Sequence, residues 1–196
     1  MDYIKSGQIV LEKEIQSLLK LKSSLDNSFI QSCKLINQTS GKTIFVGLGK
    51  SGHIAEKCAA TFSSLGIPSF YVHANEAFHG DFGMMSGNDL IIAFSFSGKT
   101  PEIVNVVKYC SKNNITVIGI SGDSQSPLAN ISNVHLDICV TEEADHLGLA
   151  PTSSTTNMIA LGDALASSVS EKKGFNRSDF HGLHPGGSMG HQLENE

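Results

Sequence analysis

Short apolar runs, several of them ending in glycine, alternate with helical stretches along most of this chain, and this alternation limits the fold more than any other feature. The runs occupy residues 42–49, 68–72, 88–98, 115–122 and 134–140. Each run is nearly continuous in apolar residues, which is typical of strands buried on both faces. The chain is therefore predicted to form an α/β fold in which helices cover both faces of a parallel sheet.

Helical periodicity is found before, between and after these runs. The predicted helical segments are 7–25, 27–38, a stretch through 60–65, 101–113 and 155–172. A length of 196 residues suits one domain, and the chain has no internal repeat or linker. We therefore predict a single domain over 1–196, with N-terminal helices in 1–40 and the core in 42–193.

Charge and composition exclude several classes of partner. A net charge of −5 provides no basic excess for nucleic acid or an anionic membrane surface. No apolar run approaches the roughly 20 residues that span a bilayer, and the N-terminus has no signal-peptide core. The four cysteines form no CxxC pair and are interpreted as reduced core residues. We expect a cytoplasmic protein without nucleic-acid or membrane partners.

Residues 47–52 read GLGKSG, which fits the GxGxxG pattern after the first strand. Glycines there permit a tight turn, and the backbone amides at the next helix start face an anion. A dinucleotide site would also need an acidic residue at the end of the second strand, to hold the ribose hydroxyls. His73 stands at that position. The motif therefore indicates an anion site, with a nucleotide-binding oxidoreductase as an alternative.

Residues 95–102 read SFSGKTPE, where the third strand meets its helix. Thr100 suits the N-cap position, but capping leaves the hydroxyls of Ser95 and Ser97 unexplained. These hydroxyls lie at the carboxyl end of a parallel strand, where such sheets bind ligands. We predict a phosphate site there. Phosphate would repel a carboxylate pointing into the same helix start, so Glu102 is expected to face sideways, toward the carbons of the ligand or the rim.

Other candidate residues have ordinary explanations when they are taken singly. Lys50 could be an exposed loop cation, Glu143 part of a solvated acidic loop, and His184 a histidine in a rigid turn. His73 and His79 could bind a metal or sugar hydroxyls, but no third ligand is evident nearby in the sequence. None of these residues assigns a function alone.

Several stretches together resemble one known family in their order and spacing. They read GLGKSGHIAEK, PSFYVHANEAFHGDFGM, SFSGKTPEI, GLAPTSSTTNMIALGDALA and LHPGGSMG. Across residues 42–193 the chain is similar to the sugar isomerase (SIS) domain of the arabinose-5-phosphate isomerases. The resemblance implies a three-layer αβα sandwich with a five-stranded parallel sheet.

The resemblance also implies an activity. Members of the family interconvert D-ribulose 5-phosphate and D-arabinose 5-phosphate, which supplies the eight-carbon acid sugar Kdo for lipopolysaccharide or capsule, and they use no cofactor. They are usually homotetramers. A sugar phosphate and further copies of the chain are therefore the expected partners.

The family's functional positions can be carried over residue by residue. The catalytically implicated positions match Lys50, Glu102, Glu143 and His184. The substrate-binding positions match Ser51, His73, His79, Ser95, Ser97 and Thr100. Zinc can occupy a site at the histidine that matches His73, where it inhibits and is not required.

The chain departs from the family pattern in two places. Most relatives carry an acidic residue where Lys99 stands, so the charge beside the phosphate loop is more positive here, which could tighten phosphate binding or shift substrate preference. Longer relatives continue into a pair of CBS regulatory modules beyond the position of Glu196. We expect a short form without those modules.

The expected residues suit isomerisation of an aldose and a ketose. An acid and a base must open the furanose ring of arabinose 5-phosphate, and a proton then moves between C2 and C1 through a cis-enediolate. We hypothesise that Lys50 stabilises the enediolate and that Glu102 or Glu143 transfers the carbon proton. His184 would assist ring opening, in the site of a neighbouring subunit. The alternative is a non-catalytic SIS module that senses sugar phosphates.

Overall fold

The strands lie where the apolar runs predict them in the computed structural model, which describes residues 2–185. They are β1 Thr43–Gly47, β2 Ser69–His73, β3 Leu90–Phe94, β4 Thr116–Ser121 and β5 Val134–Asp137. They pair in parallel in the order β2-β1-β3-β4-β5, which confirms the predicted five-stranded α/β fold. The predicted core boundary at 193 and the glycines of the HPGG motif, Gly186 and Gly187, lie outside the described residues.

Helices cover both faces of the sheet. They are α1 Tyr3–Ser24, α2 Asn27–Gln38, α3 Gly49–Ser64, α4 Ala74–Ala77, α5 Pro101–Lys112, α6 Pro127–Ile131, α7 Ser153–Lys172 and α8 Arg177–Leu183, with a 3-10 turn at Asp81–Met84. α1, α2, α3 and α7 pack on one face, and α4, α5 and α6 on the other. The three layers confirm the prediction. The short helices α4, α6 and α8 were not predicted, because so few residues carry little periodicity.

Alternate residues of each central strand fill two separate cores. Phe45 of β1 and Ile92 of β3 pack in the core shared with α3 and α7. Ile44 and Ile91, their neighbours in the same strands, pack in the core shared with α5. All four side chains are fully buried. Burial on both faces explains why these runs show no alternation of polar and apolar residues.

Helix α1 forms as predicted, but much of its apolar surface is uncovered. Asp2 caps the helix by accepting hydrogen bonds from the amides of Ile4 and Lys5, and only Ser17 and Leu21 are buried. The apolar residues of α1 that are more than half exposed are Tyr3, Ile4, Ile9, Leu11 and Leu19. Within residues 2–185 the structure has no helix with the length and apolar character needed to cross a membrane.

The cysteines of the described chain are free thiols. Cys58 and Cys110 are fully buried, whereas Cys33 and Cys139 are half-buried. Burial raises the pKa of both the Cys58 and the Cys110 thiol to about 12, so both stay protonated near neutral pH. Their burial confirms that these two are residues of the core.

Candidate active site

The topological switch point of the sheet lies between β1 and β3. The chain leaves β1 for β2 on one side and then returns to β3 on the other side. The loops after β1 and β3 therefore diverge and leave a crevice at the carboxyl end of the sheet. Residues 48–51 and 95–100 follow these two strands directly. Both segments that are predicted to bind an anion border this crevice.

Glycines bring α3 close against β1. A Cβ on Gly47 would lie 2.7 Å from the Cα of Gly52, and a Cβ on Gly52 would lie 2.7 Å from the Tyr71 hydroxyl. That hydroxyl donates a 3.1 Å hydrogen bond to the Gly47 carbonyl. Gly49 has a φ of +58°, which glycine adopts readily. A tight turn and close packing account for all three glycines, and neither requires a nucleotide.

Lys50 and Ser51 lie in the first turn of α3. The cap residue Leu48 gives the amides of this turn no side-chain acceptor. The amides and the positive end of the helix dipole are therefore available to an anion. Lys50 is exposed and Ser51 is half-buried. The two side chains add a cation and a hydroxyl to this helix start.

The loop after β3 places three hydroxyls at the start of α5. Ser95 is buried and shares a 3.0 Å hydrogen bond with the hydroxyl of Thr100. The Oγ of Ser97 accepts a 3.2 Å bond from the amide of Lys99. Thr100 is the N-cap residue, as predicted, but its side chain makes no capping bond. The first amides of α5 therefore remain open to an anion.

The loop formed by residues 95–100 is anchored to the loop after β4 and to α6. The carbonyl of Gly98, which has a φ of +62°, accepts a 3.0 Å bond from the amide of Leu128. Lys99 Nζ lies 3.1 Å from Asp123 Oδ2. The backbone amide of Gln125 and the charge of Lys99 lower the pKa of Asp123. The extra positive charge of Lys99 is thus paired with Asp123.

Glu102 lies in the first turn of α5. Its side chain is half-buried. It accepts no hydrogen bond from any residue in the described range. Its carboxylate oxygens are therefore free to interact with a ligand.

The two predicted histidines lie at the carboxyl end of β2 and shortly after it. His73 ends β2 and is paired with Gly47 in the sheet, and its Nδ1 accepts a 3.3 Å bond from the amide of Asn75. The ring proton is then on Nε2, which can donate to a ligand. His79 is exposed. No group of three or more potential metal ligands occurs among residues 2–185, so the described residues of one chain do not form a complete zinc site.

Glu143 is only 6% exposed, so the interpretation as a residue of a solvated loop is wrong. Its Oε2 accepts hydrogen bonds from the Thr152 amide (2.8 Å), the Thr152 hydroxyl (3.2 Å) and the Ser154 amide (3.1 Å). Thr152 is the N-cap residue of α7 and makes no capping bond with its own side chain. The carboxylate of Glu143 therefore caps α7 from a distant position in the sequence.

Helices α3 and α7 run side by side in the same direction. They approach so closely that a Cβ on Gly162 would collide with the Sγ of Cys58. Eight residues before this contact, the two helices carry Lys50 and Ser154. Because both helices rise by about 1.5 Å per residue, these residues lie at the same level. The amide that binds Glu143 is thus at the carboxyl end of the sheet, as is Lys50.

His184 lies at the opposite end of the sheet. The hydroxyl of Ser170, near the end of α7, donates a 3.0 Å bond to the carbonyl of Leu65, where α3 ends. Phe180 lines a groove with Leu65, and the His184 ring stacks on Phe180 at a centroid distance of 3.9 Å. Leu65 is separated from Lys50 by about 22 Å of helix. Lys50 and His184 of one chain are therefore not brought together.

Two residues that organise this site were not predicted. Thr152 connects Glu143 to α7 and also accepts the amide of Ala144 at 2.7 Å. Asp123 pairs with Lys99. A threonine just before a predicted helix was a usable signal for Thr152. Nothing in the sequence placed Asp123 beside Lys99.

A doubly wound α/β domain with a ligand crevice at its switch point is the class of protein that this fold and site define. The model of the SIS domain family matches residues 35–168. The chain belongs to the SIS domain family, which confirms the family indicated by the motifs.

Similar proteins include curated enzymes and solved structures. The chain is 44% identical over 193 residues to the arabinose 5-phosphate isomerase KdsD of Pseudomonas aeruginosa, and 46% identical over 194 residues to that of Francisella tularensis. These matches cover 98% and 97% of this chain, which spans 59% of the length of each relative. The solved structure of E. coli CFT073 c3406 in complex with arabinose 5-phosphate has a TM-score of 0.91 and 39% identity, covering 94% of this chain and all of that one.

Proposed function

We propose that this protein is an aldose–ketose isomerase that interconverts D-ribulose 5-phosphate and D-arabinose 5-phosphate. The observation that carries the proposal is the crevice between the open starts of α3 and α5, which brings Lys50, Glu102 and four serine and threonine hydroxyls to one end of the sheet. Such a site combines an anion cradle with a cation and a carboxylate. The names of the similar proteins support the choice of sugar phosphate.

The phosphate is proposed to bind at the start of α5. The hydroxyls of Ser95, Ser97 and Thr100 and the open amides of that helix contact it, together with Ser51 from α3. This leaves the sugar chain to extend toward Lys50 and Glu102. His73, through Nε2, and His79 donate to the sugar hydroxyls. Zinc inhibition at His73 would need ligands beyond those of one chain's described residues.

The chemistry is proposed to occur in two stages and uses no cofactor. In the first stage, His184 of a second copy assists ring opening by moving protons between the anomeric hydroxyl and the ring oxygen. In the second stage, a glutamate moves the proton between C2 and C1. Lys50 stabilises the negative oxygen of the cis-enediolate that forms between these transfers.

The protein is proposed to act as a homo-oligomer, a tetramer as the family resemblance implies. The position of His184 supports self-association, since it reaches no Lys50 within its own chain. The apolar surface of α1 supports it too, because the exposed residues Ile15 and Leu19 line an apolar groove of about 380 Å³ between α1 and α7. A second copy seated there would bury surface that a monomer leaves in water. Leu19→Glu should then reduce the particle mass measured by light scattering.

The metabolic role is proposed from the resemblance. Arabinose 5-phosphate would feed the synthesis of Kdo for lipopolysaccharide or capsule in the cytoplasm, where phosphorylated sugars are retained. Free, unpaired cysteines are typical of that reducing compartment.

The direct test is to incubate the protein with ribulose 5-phosphate in deuterated water and to follow the sugar by NMR. We expect arabinose 5-phosphate carrying deuterium at C2, with ribose 5-phosphate as the epimer standard. A folded protein that gives neither arabinose 5-phosphate nor deuterium at C2 would refute the proposal.

The role of the second copy can be tested by mixing two variants. Lys50→Ala and His184→Ala should each lose most activity. If one chain supplies Lys50 and another supplies His184, mixed oligomers contain sites with both native residues. Activity should therefore return when the two variants are dissociated and reassembled together, and its failure to return would argue against a shared site.

A non-catalytic sugar-phosphate sensor, the alternative raised by the sequence, would use the same phosphate site but would not convert the sugar. Binding of arabinose 5-phosphate by calorimetry without any turnover would favour the sensor.

A further inference from the structure

The two glutamates of the site have different surroundings. Glu143 is buried, and one of its oxygens is the acceptor of three hydrogen bonds. Glu102 is half-buried and accepts none from the described residues. A group that transfers a carbon proton must alternate between carboxylate and carboxylic acid. The free-energy cost of changing between these two protonation states is therefore different for Glu102 and Glu143.

Protonation of Glu143 would weaken contacts that hold the fold together. Its Oε2 is the capping acceptor of the 20-residue helix α7, whose first amides carry partial positive charge. Two of the three donors are backbone amides, Thr152 and Ser154, which lose a charged acceptor if the carboxylate takes up a proton. The negative charge of Glu143 thus has a structural use throughout the cycle.

The carboxylate of Glu143 also holds the loop of residues 143–152 in place beside the site. Thr152 donates a hydrogen bond to Glu143 through its amide and accepts one from the amide of Ala144. These two bonds hold the first and last residues of the loop 143–152 together. Within the loop, Asp145 accepts the amides of Leu149 and Ala150 at 2.8 Å. The segment 143–152 is therefore fixed against the start of α7.

Glu102 can change its protonation state without breaking a hydrogen bond of the described chain. It lies in the first turn of α5, where the predicted phosphate occupies the helix start and the sugar carbons follow. Its carboxylate borders the crevice and is not engaged by the described chain, so it is available to act as a general base. The Oε2 of Glu143 is already the acceptor of three hydrogen bonds.

We infer that Glu102 is the group that transfers the carbon proton and that Glu143 is a positioning residue, which caps α7 and fixes segment 143–152. This assignment rests on the proposed isomerase function. In the direction from aldose to ketose, Glu102 removes the proton of C2, the C1–C2 double bond forms, and the electrons of the C1 carbonyl pass to O1. Glu102, after its proton has exchanged with solvent, then protonates C1, and the proton that the C2 hydroxyl loses as the C2 carbonyl forms passes to O1.

The test compares Glu102→Gln, Glu143→Gln and Glu143→Ala by NMR exchange in deuterated water. Glu102→Gln should lose about 10³-fold in kcat, in the range found for general acid–base groups, with little change in KM and an unchanged melting temperature. Glu143→Gln keeps an oxygen that can accept from Thr152 and Ser154, so its loss in kcat should be at least about tenfold smaller than that of Glu102→Gln. Glu143→Ala should lower both the melting temperature and the activity.

Amide hydrogen exchange supplies a readout that is independent of turnover. The amides of Thr152 and Ser154 should remain protected in Glu143→Gln and become exposed to exchange in Glu143→Ala. A Glu143→Gln protein that is folded, protected at both amides and as inactive as Glu102→Gln would overturn the assignment. A folded wild type that forms no arabinose 5-phosphate and incorporates no deuterium would instead refute the isomerase function itself.

Discussion

The starts of α5 and α7 lie at the same end of the sheet, yet they are completed in opposite ways. At α5 the N-cap hydroxyl of Thr100 is bonded to Ser95, and the first amides have no side-chain acceptor from the cap residue. At α7 the buried carboxylate of Glu143 accepts two amides and a hydroxyl. One helix start is open and the other is filled by the protein's own anion.

The difference indicates which helix start serves a ligand. The positive end of a helix dipole attracts an anion from whatever source is nearest. Where the chain supplies a carboxylate, as at α7, the site is complete and stabilises the fold. Where it supplies only neutral hydroxyls, as at α5, the anion must come from solution. The open start therefore supports the proposal that the phosphate binds at α5.

Thr100→Asp would convert the open start into a filled one and should have the largest effect. An aspartate at the N-cap would accept the first amides of α5 and repel phosphate. We expect the KM for the sugar phosphate to rise on the order of 100-fold, equivalent to about 2.7 kcal/mol, with the melting temperature unchanged or raised. Thr100→Asn is the matched control, because it has the same shape without the charge. An equal loss in both variants would show that the charge is not the cause.

Gly162→Ala should disturb the packing that keeps α7 level with α3. The added Cβ collides with Cys58, which should cost about 1–3 kcal/mol of unfolding free energy as overpacking. The change is measured by chemical denaturation. Cys58→Ala removes the colliding Sγ, so the double variant should be more stable than Cys58→Ala alone, because alanine favours helix over glycine by about 1 kcal/mol. Additive effects of the two changes would contradict a direct contact.

Thr152→Val should weaken the filled start with a smaller effect. It removes the hydroxyl that accepts the Ala144 amide and donates to Glu143, and it keeps the side-chain shape. We expect a loss of about 1–2 kcal/mol of unfolding free energy, read from thermal unfolding. Thr152→Ser retains the hydroxyl and should stay near the wild type. If Thr152→Ser loses as much as Thr152→Val, the hydroxyl is not responsible.

Lys99→Ala should have the smallest effect. Its ammonium is paired with Asp123 at 3.1 Å, and its side chain is 64% exposed, so the pair contributes little to stability. We expect KM for the sugar phosphate to change by no more than about threefold, since exposed pairs are worth about 0–1 kcal/mol. Asp123→Asn removes the charge of the other member of the ion pair and so tests the same pairing without changing Lys99. A tenfold rise in KM for Lys99→Ala alone would mean that the lysine contacts the phosphate directly.

The sheet could be predicted from the sequence because its signal is local. β1, β3 and β4 are buried on both faces, so each appears as one apolar run within a few residues of its true bounds. Helix α7 was predicted to begin at 155 and begins at Ser153. The start was predicted too late because Pro151 and the small polar residues after it carry little apolar periodicity.

The surroundings of the site residues could not be predicted, because they depend on contacts between distant segments. Glu143 meets Thr152 and Ser154 only when the loop after β5 folds back on α7. Lys99 meets Asp123 only because β4 is the neighbour of β3 in the sheet. The motifs in the sequence indicated which side chains belong to the site. Whether each side chain is free, paired or buried depends on the tertiary structure.

The separation of Lys50 from His184 has a consequence for how the protein would respond to its own abundance. A chain whose histidine serves a second copy holds an intact phosphate crevice but only part of the ring-opening machinery. At high dilution, dissociated chains would still capture the sugar phosphate and would fail to convert it. Specific activity would then rise with protein concentration, and the sensor and the enzyme would be two states of one molecule, separated only by how often copies meet.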